Sequence, residues 1–64
     1  MSFTLKACRV NRNLTQAEAA KALGVTEDTL ANYEAGRTFP DVRVIKKIER
    51  LYNVPFADII FFEE

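Results

Sequence analysis

Apolar residues recur at spacings of three and four along almost the whole chain, which is typical of amphipathic helices. No stretch alternates apolar and polar residues as a strand would, and no low-complexity segment or linker interrupts the pattern. The spacing therefore predicts an all-α domain of five helices. The first helix is predicted from Phe3 to Arg12, with Ser2 as its N-cap and with Leu5 and Cys8 facing inward.

Capping residues delimit the second and third predicted helices. Thr15 and Glu18 form a T-x-x-E capping box, and Gly24 follows where the chain must turn in a left-handed conformation. Thr26 is the predicted N-cap of the third helix, which is expected to end at Gly36. The residues that the helical spacing turns inward in these two helices are Ala19, Ala20, Leu23, Leu30, Tyr33 and Glu34.

The last two predicted helices lie in the C-terminal third of the chain. The fourth begins at Pro40 and Asp41 and ends at Asn53, and a short fifth helix begins near Pro55. The apolar residues expected inside the fourth helix are Val42, Ile45, Ile48 and Leu51. Those of the fifth are Phe56, Ile59 and Ile60.

Length and composition narrow the class of protein. Residues 1–64 suffice for one small domain, and the chain has no His and one Cys. Histidine-based catalysis and multi-thiolate or imidazole metal sites are excluded by this inventory, so we expect no enzyme, no metal and no cofactor. The single thiol, Cys8, on an apolar helix face, is interpreted as a core residue; the alternative is a reactive thiol. The Met-Ser-Phe start lacks signal-peptide features and no apolar run approaches ~20 residues, so a cytoplasmic protein without a membrane partner is expected.

The distribution of charge is more informative than its total of zero. Residues 1–24 and 37–50 are net positive, whereas residues 25–36 and 51–64 are net negative, so a neutral total is compatible with a basic face. Lys46, Lys47 and Arg50 lie within the second basic block. They represent either a solvated face of the fourth helix or a binding patch.

A tight glycine turn between two helices requires a small residue where the helices cross, and Ala20 lies four residues before Gly24. This is the geometry of a helix-turn-helix. Each position of a set of six has a different steric role: Gln16, Ala20, Gly24, Val25, Leu30 and Tyr33. With LTQAEAAKALGVT, TLANYEAGR and LYNVP, the sequence resembles the lambda repressor-like (Cro/CI-type, XRE-type) DNA-binding domains over nearly its whole length.

The resemblance implies a sequence-specific transcriptional regulator of the phage or bacterial repressor type, which reads double-stranded DNA at an operator with its third helix in the major groove. It implies an ion pair between Arg9 and Glu34. The residues expected to contact bases are Thr26, Glu27, Asp28, Ala31 and Asn32. Those expected to contact phosphates are Gln16, Arg37, Thr38 and Arg12.

The sequence departs from the family pattern at two places. Glu27 and Asp28 open the third helix where many relatives carry Gln, Arg, Ser or Lys, so they either accept from cytosine N4 or serve only as caps. Gln16 is likewise either a phosphate anchor or an exposed residue without a partner. Glu49 stands where relatives usually have alanine, and it faces either solvent or a partner.

The C-terminal apolar cluster supplies more apolar surface than one short helix can bury in so small a domain. We therefore predict a homodimer, of an affinity that the sequence leaves open, through Phe56, Ile60, Phe61 and Phe62. The alternative is that these residues pack on their own domain. A second function remains open as well, in which the helix-turn-helix scaffold is a protein-interaction module without DNA binding. No small-molecule ligand is indicated.

Overall fold

Four α-helices and a two-stranded parallel sheet form the part of the chain that the computed structural model describes, residues 2–62. The elements in chain order are β1 (Phe3–Thr4), α1 (Leu5–Asn11), α2 (Gln16–Leu23), α3 (Glu27–Glu34), α4 (Val42–Tyr52), a short 3-10 turn (Phe56–Asp58) and β2 (Ile59–Ile60). Met1, Glu63 and Glu64 lie outside the described residues, so part of the acidic block predicted for residues 51–64 is not placed.

The predicted caps of α2 are confirmed. The Thr15 hydroxyl accepts a hydrogen bond from the Glu18 backbone N–H at 3.1 Å, and the Thr15 N–H donates to Glu18 Oε1 at 2.9 Å. The hydrogen bond from the Thr15 backbone N–H to the charged carboxylate is the main cause that lowers the pKa of Glu18. Gly24 ends α2 with φ +75°, in the left-handed region where a side chain would be strained. Asn53 ends α4 in the same region, with φ +55°.

The prediction for the N-terminus is wrong in its boundary. Helix α1 begins at Leu5 rather than Phe3, and its N-cap is Thr4 rather than Ser2. The Thr4 hydroxyl accepts from the Ala7 backbone N–H at 3.1 Å, which satisfies one of the free donors of the first turn. The residue before it, Phe3, lies in an extended strand with Thr4 because both pair with the C-terminal segment.

The prediction of a fifth helix is also wrong. After the 3-10 turn the chain is extended, and β2 pairs in parallel with β1, Phe3 opposite Ile59 and Thr4 opposite Ile60. Burial therefore alternates with a period of two: Ile59 and Phe61 are buried, Ile60 is half-buried and Phe62 is exposed. Two consecutive β-branched residues favour this extended conformation over a helix.

The core lies between the four helices and β2. Its buried hydrophobic residues are Leu5, Cys8, Ala19, Ala20, Leu23, Leu30, Ile48, Tyr52, Ile59 and Phe61. Burial raises the pKa of the Cys8 thiol, as expected for a core residue. Val42 was predicted inside but is 66% exposed, because Val44, Ile48, Leu51 and Tyr52 form the inner face of α4 and Val42 lies on another side of the helix. No helix within residues 2–62 is long and apolar enough to cross a membrane.

Candidate nucleic-acid interface

Helices α2 and α3 pack against each other, and a connection of three residues joins them. Val25 N–H donates to the Ala20 carbonyl at 3.0 Å, so the chain leaving α2 folds back on its last turn. The small Ala20 side chain is buried at this crossing, and Leu30 of α3 is buried with it in the core. The predicted helix-turn-helix arrangement is confirmed, and it leaves the outer face of α3 in contact with solvent.

The first turn of α3 carries two exposed carboxylates. Thr26 is the cap: its hydroxyl accepts from the Thr29 backbone N–H at 3.1 Å and donates to Thr29 Oγ1 at 2.8 Å. Glu27 and Asp28 make no side-chain hydrogen bond with another residue of the described part of the chain. The hydrogen-bonding cap is thus Thr26 alone, and the two acids interact with α3 through the favourable field at its N-terminus.

The Glu34 carboxylate joins three helices. Arg9 donates from Nε to Glu34 Oε2 at 2.7 Å and from Nη2 to Oε1 at 3.3 Å, and its Nη1 donates to the Leu14 carbonyl at 2.9 Å. The Gln16 amide nitrogen also donates to Glu34 Oε1, at 3.1 Å. The Arg9 and Glu34 side chains are only 11% and 5% exposed. This network connects the end of α3 to α1 and to the beginning of α2.

Both ionic partners affect the titration of nearby groups. The hydrogen bond to Glu34 raises the pKa of Arg9, so the guanidinium stays charged. Burial, aided by the negative charge of Glu34, raises the pKa of Tyr52 to about 12. The buried Tyr52 hydroxyl has no hydrogen-bond partner among residues 2–62. Tyr52 was not among the inward residues predicted for α4, although it lies four positions after Ile48, and the Gln16 contact joins residues too far apart for the helical spacing to indicate.

The other residues expected to contact DNA lie on α3, in the loop after α3 and at the end of α1. Arg37 and Thr38 are exposed in the loop after α3, and Arg12 is exposed at the C-cap of α1. Asn32 and Ala31 are half-buried on α3. Within residues 2–62, Arg9 is the one basic residue with a carboxylate oxygen within 4 Å, so these cations are not neutralised there.

Exposed aromatic rings lie beside the exit of α3. Phe39, Phe56 and Phe62 are 47%, 44% and 54% exposed and form what we call the aromatic surface. Phe39 stacks on Phe62 at a centroid distance of 5.5 Å and meets Phe56 edge-on at 6.4 Å. Phe61, which was predicted in the dimer interface, is 9% exposed and belongs to the core, so it drops out of that set. Phe39, which the sequence pattern had left unassigned in a loop, is exposed and belongs to the aromatic surface.

The residues that the structure describes contain no group of three or more His, Cys, Asp or Glu placed to hold a metal ion. A groove of about 310 Å³ runs between β1, β2 and the end of α3, and its lining residues include Lys6 and Phe62. It adjoins the aromatic surface and contains a single basic side chain.

Comparison with known proteins yields a consistent set of matches. The family model HTH_3, described as helix-turn-helix, matches residues 5–59. An uncharacterized HTH-type transcriptional regulator from Archaeoglobus fulgidus is 36% identical over all 64 residues, which cover 90% of that protein. One from Methanocaldococcus jannaschii is also 36% identical over 64 residues, with 97% of its length covered. The cryptic phage CTXphi transcriptional repressor RstR of Vibrio cholerae is 34% identical over 59 residues, 92% of this chain and 53% of RstR. No solved structure gives a significant match.

Proposed function

The chain belongs to the helix-turn-helix family that matches it over residues 5–59, and from that premise we propose that it is a DNA-binding transcriptional regulator. Residues 1–64 act as one domain, and α3 enters the major groove of an operator. The relatives are named transcriptional regulators, and one is named a repressor. The proposal places the protein in the compartment that holds the DNA, which is the cytoplasm in bacteria and archaea.

One observation carries the proposal: the Glu34 carboxylate holds Gln16 beside the end of α3. One N–H of the Gln16 side-chain amide donates a hydrogen bond to Glu34, and the second N–H is free to donate to a phosphate oxygen. The start of α2 and the reading face of α3 are therefore held in one geometry before DNA arrives. Arg12, Arg37 and Thr38 supply further donors at both ends of this surface.

The acids at the start of α3 affect which base pairs the helix prefers. Glu27 and Asp28 repel phosphates but accept well from cytosine N4, so their contribution favours C·G pairs and weakens binding to DNA of other sequence. The same two exposed carboxylates support the second candidate function, a protein-interaction module without DNA contact. The two functions differ in whether any duplex is bound at low salt.

Asn32 and Arg37 are expected to have separable roles. Asn32→Ala should relax the preference at one base pair by about 1 to 3 kcal/mol, because an Asn side chain can bond bidentately to adenine. Arg37→Ala should weaken all sites alike and reduce the slope of log affinity against log salt by about one, because a phosphate contact carries no sequence information. Selection of sites from a random duplex library, followed by fluorescence anisotropy at several salt concentrations, measures both quantities.

Lys6→Ala is the matched control for Arg37→Ala, since it removes an exposed cation of α1 that is not part of the proposed contact set. An unchanged site preference in Asn32→Ala would show that α3 is not the reading helix. If wild type bound no duplex even at low salt, the interaction-module function would replace DNA binding.

We further propose that the regulator dimerises through the aromatic surface. Two copies related by a dyad can place their α3 helices in successive major grooves about 34 Å apart. The surface lies against the exit of α3, since a Cβ on Gly36 would be 3.5 Å from the Phe61 carbonyl oxygen and 3.6 Å from the Phe62 ring. A contact there therefore sets the distance between the two reading helices.

Phe62→Glu is expected to abolish this dimer without unfolding the domain, because Phe62 is exposed whereas Phe61 is core. Sedimentation on a palindromic site should change from two chains per duplex to one, since a buried unpaired carboxylate opposes association. Val10→Glu, at an exposed apolar residue of α1, is the control and should retain wild-type stoichiometry. Identical stoichiometry for wild type and Phe62→Glu, free and on DNA, would remove the aromatic surface as the interface.

A further inference from the structure

Helices α2 and α4 line a shallow, open surface groove that shares no residue with the proposed DNA contacts or the aromatic surface. The groove has a volume of about 340 Å³ and is lined by Ala22 of α2 and by Lys47, Arg50 and Leu51 of α4. The apolar part of its lining, which we call the floor, is the small exposed Ala22 side chain and the half-buried Leu51. We call the two exposed cations of the lining, Lys47 and Arg50, its walls. We call it the α2–α4 groove.

The basic walls continue along one face of α4. Arg43, Lys46, Lys47 and Arg50 follow the spacing i, i+3, i+4, i+7, and all four are exposed. Like charges at this spacing destabilise a helix by a few tenths of a kcal/mol per pair, so the row is not explained by the stability of α4.

No carboxylate of the described residues compensates this row. The single ion pair found within residues 2–62 joins Arg9 to Glu34. The one acid in α4, Glu49, is engaged elsewhere, because its Oε2 accepts from the Phe56 backbone N–H at 2.7 Å. Glu49 thus serves the C-terminal turn, and the basic row keeps its charge.

Lys47 lies at the edge of the groove, beside the turn of the helix-turn-helix. A Cβ on Gly24 would lie 3.3 Å from Lys47 Nζ, so the ammonium rests beside the C-terminal end of α2. A cation is favoured there by the partial negative charge of the last carbonyls.

We propose that the α2–α4 groove docks an acidic segment of a partner protein, with an apolar side chain on Ala22 and Leu51 and carboxylates at Lys47 and Arg50. The apolar floor favours this occupant over nucleic acid, because an aliphatic side chain buries apolar area there whereas a phosphate group does not. The groove is made by α2 and α4 alone, so the proposal stands whether or not α3 reads DNA. A partner docked there would connect the regulator to another protein.

The probe is a fluorescein-labelled peptide of about a dozen residues, rich in glutamate with leucines three and four apart, beside a matched peptide with glutamine in place of glutamate. At low salt, wild type should bind the acidic peptide about threefold to tenfold more tightly than the glutamine peptide, the size expected for two exposed ion pairs. Arg50→Glu should remove that preference. Ala22→Glu should weaken binding of both peptides, because it places a carboxylate on the floor.

Lys6→Glu is the charge-matched control, since it makes the same change of net charge on α1, outside the groove. Circular dichroism verifies folding of every variant, and Arg50→Gln replaces Arg50→Glu if the latter unfolds. Equal affinity for the two peptides, or an equal loss in Lys6→Glu, overturns the proposal. The proposal is also overturned if a random duplex competes with the peptide and Arg50→Glu weakens binding of the duplex as much as binding of the peptide. The row would then be a nucleic-acid surface.

Discussion

Alanine in place of Arg9 or of Glu34 is expected to destabilise the domain by about 3 to 5 kcal/mol, because each change leaves the opposite charge buried without its partner. The two side chains are 11% and 5% exposed, and Glu34 accepts three hydrogen bonds, two from Arg9 and one from Gln16. At ~0.05 to 0.15 kcal/mol per residue, a chain of this length is stable by about 3 to 10 kcal/mol. Either variant should therefore lose a large part of its free energy of unfolding, as measured by urea titration followed by circular dichroism.

The double variant Arg9→Met, Glu34→Leu provides the comparison. Replacing both members of a buried ion pair by apolar residues of similar size is often neutral or stabilising, so the double variant should be more stable than either alanine variant. If one alanine variant unfolded within about 0.5 kcal/mol of wild type, the range of ordinary surface changes, the pair would not hold the three helices together.

Leu30→Ala is expected to cost about 2 to 5 kcal/mol, since it removes a fully buried side chain and leaves a cavity beneath the reading helix. Within the described residues, Leu30 is the one apolar residue of α3 that is fully buried. Its loss should therefore loosen α3 on the domain as well as lower the midpoint of urea unfolding. Hydrogen exchange of the α3 amides, measured beside global stability, separates these two effects.

Val42→Ala is the control, because both residues were predicted to face inward whereas Val42 is 66% exposed. Its free energy of unfolding should stay within about 0.5 kcal/mol of wild type. Equal losses of unfolding free energy in the two variants would mean that Val42, in the first turn of α4, packs into the core.

The local features of the helices follow from the sequence because they depend on residues within four positions of one another. The capping box of Thr15 and Glu18, the N-cap Thr26 and the left-handed Gly24 each involve one turn of chain. The inward stripe of α2 and α3 follows from the helical period, and with Ala20 at the crossing it predicts the helix-turn-helix. Most of the fold, and the surface on which the candidate site lies, could therefore be predicted.

The conformation of the two ends of the chain could not be predicted, because each end depends on its pairing with the other. Phe3 and Thr4 were predicted as helix, but they pair with Ile59 and Ile60, more than fifty positions away. The same parallel pairing makes Phe61 a core residue and leaves Phe62 exposed, which changed the predicted dimer surface. A spacing rule that applies within one helix contains no information about such a partner.

The sequence by itself determined the helices α2 and α3, their caps and the turn between them, since a hydroxyl, a carboxylate or a glycine acts on the backbone next to it. The tertiary structure alone decided which side chains complete the site. The Gln16 amide meets Glu34 across 18 positions, and the α2–α4 groove brings Ala22 of α2 together with Leu51 of α4. Contacts between distant residues form only when the chain has folded, because the entropy lost in closing such loops must be offset by the whole core.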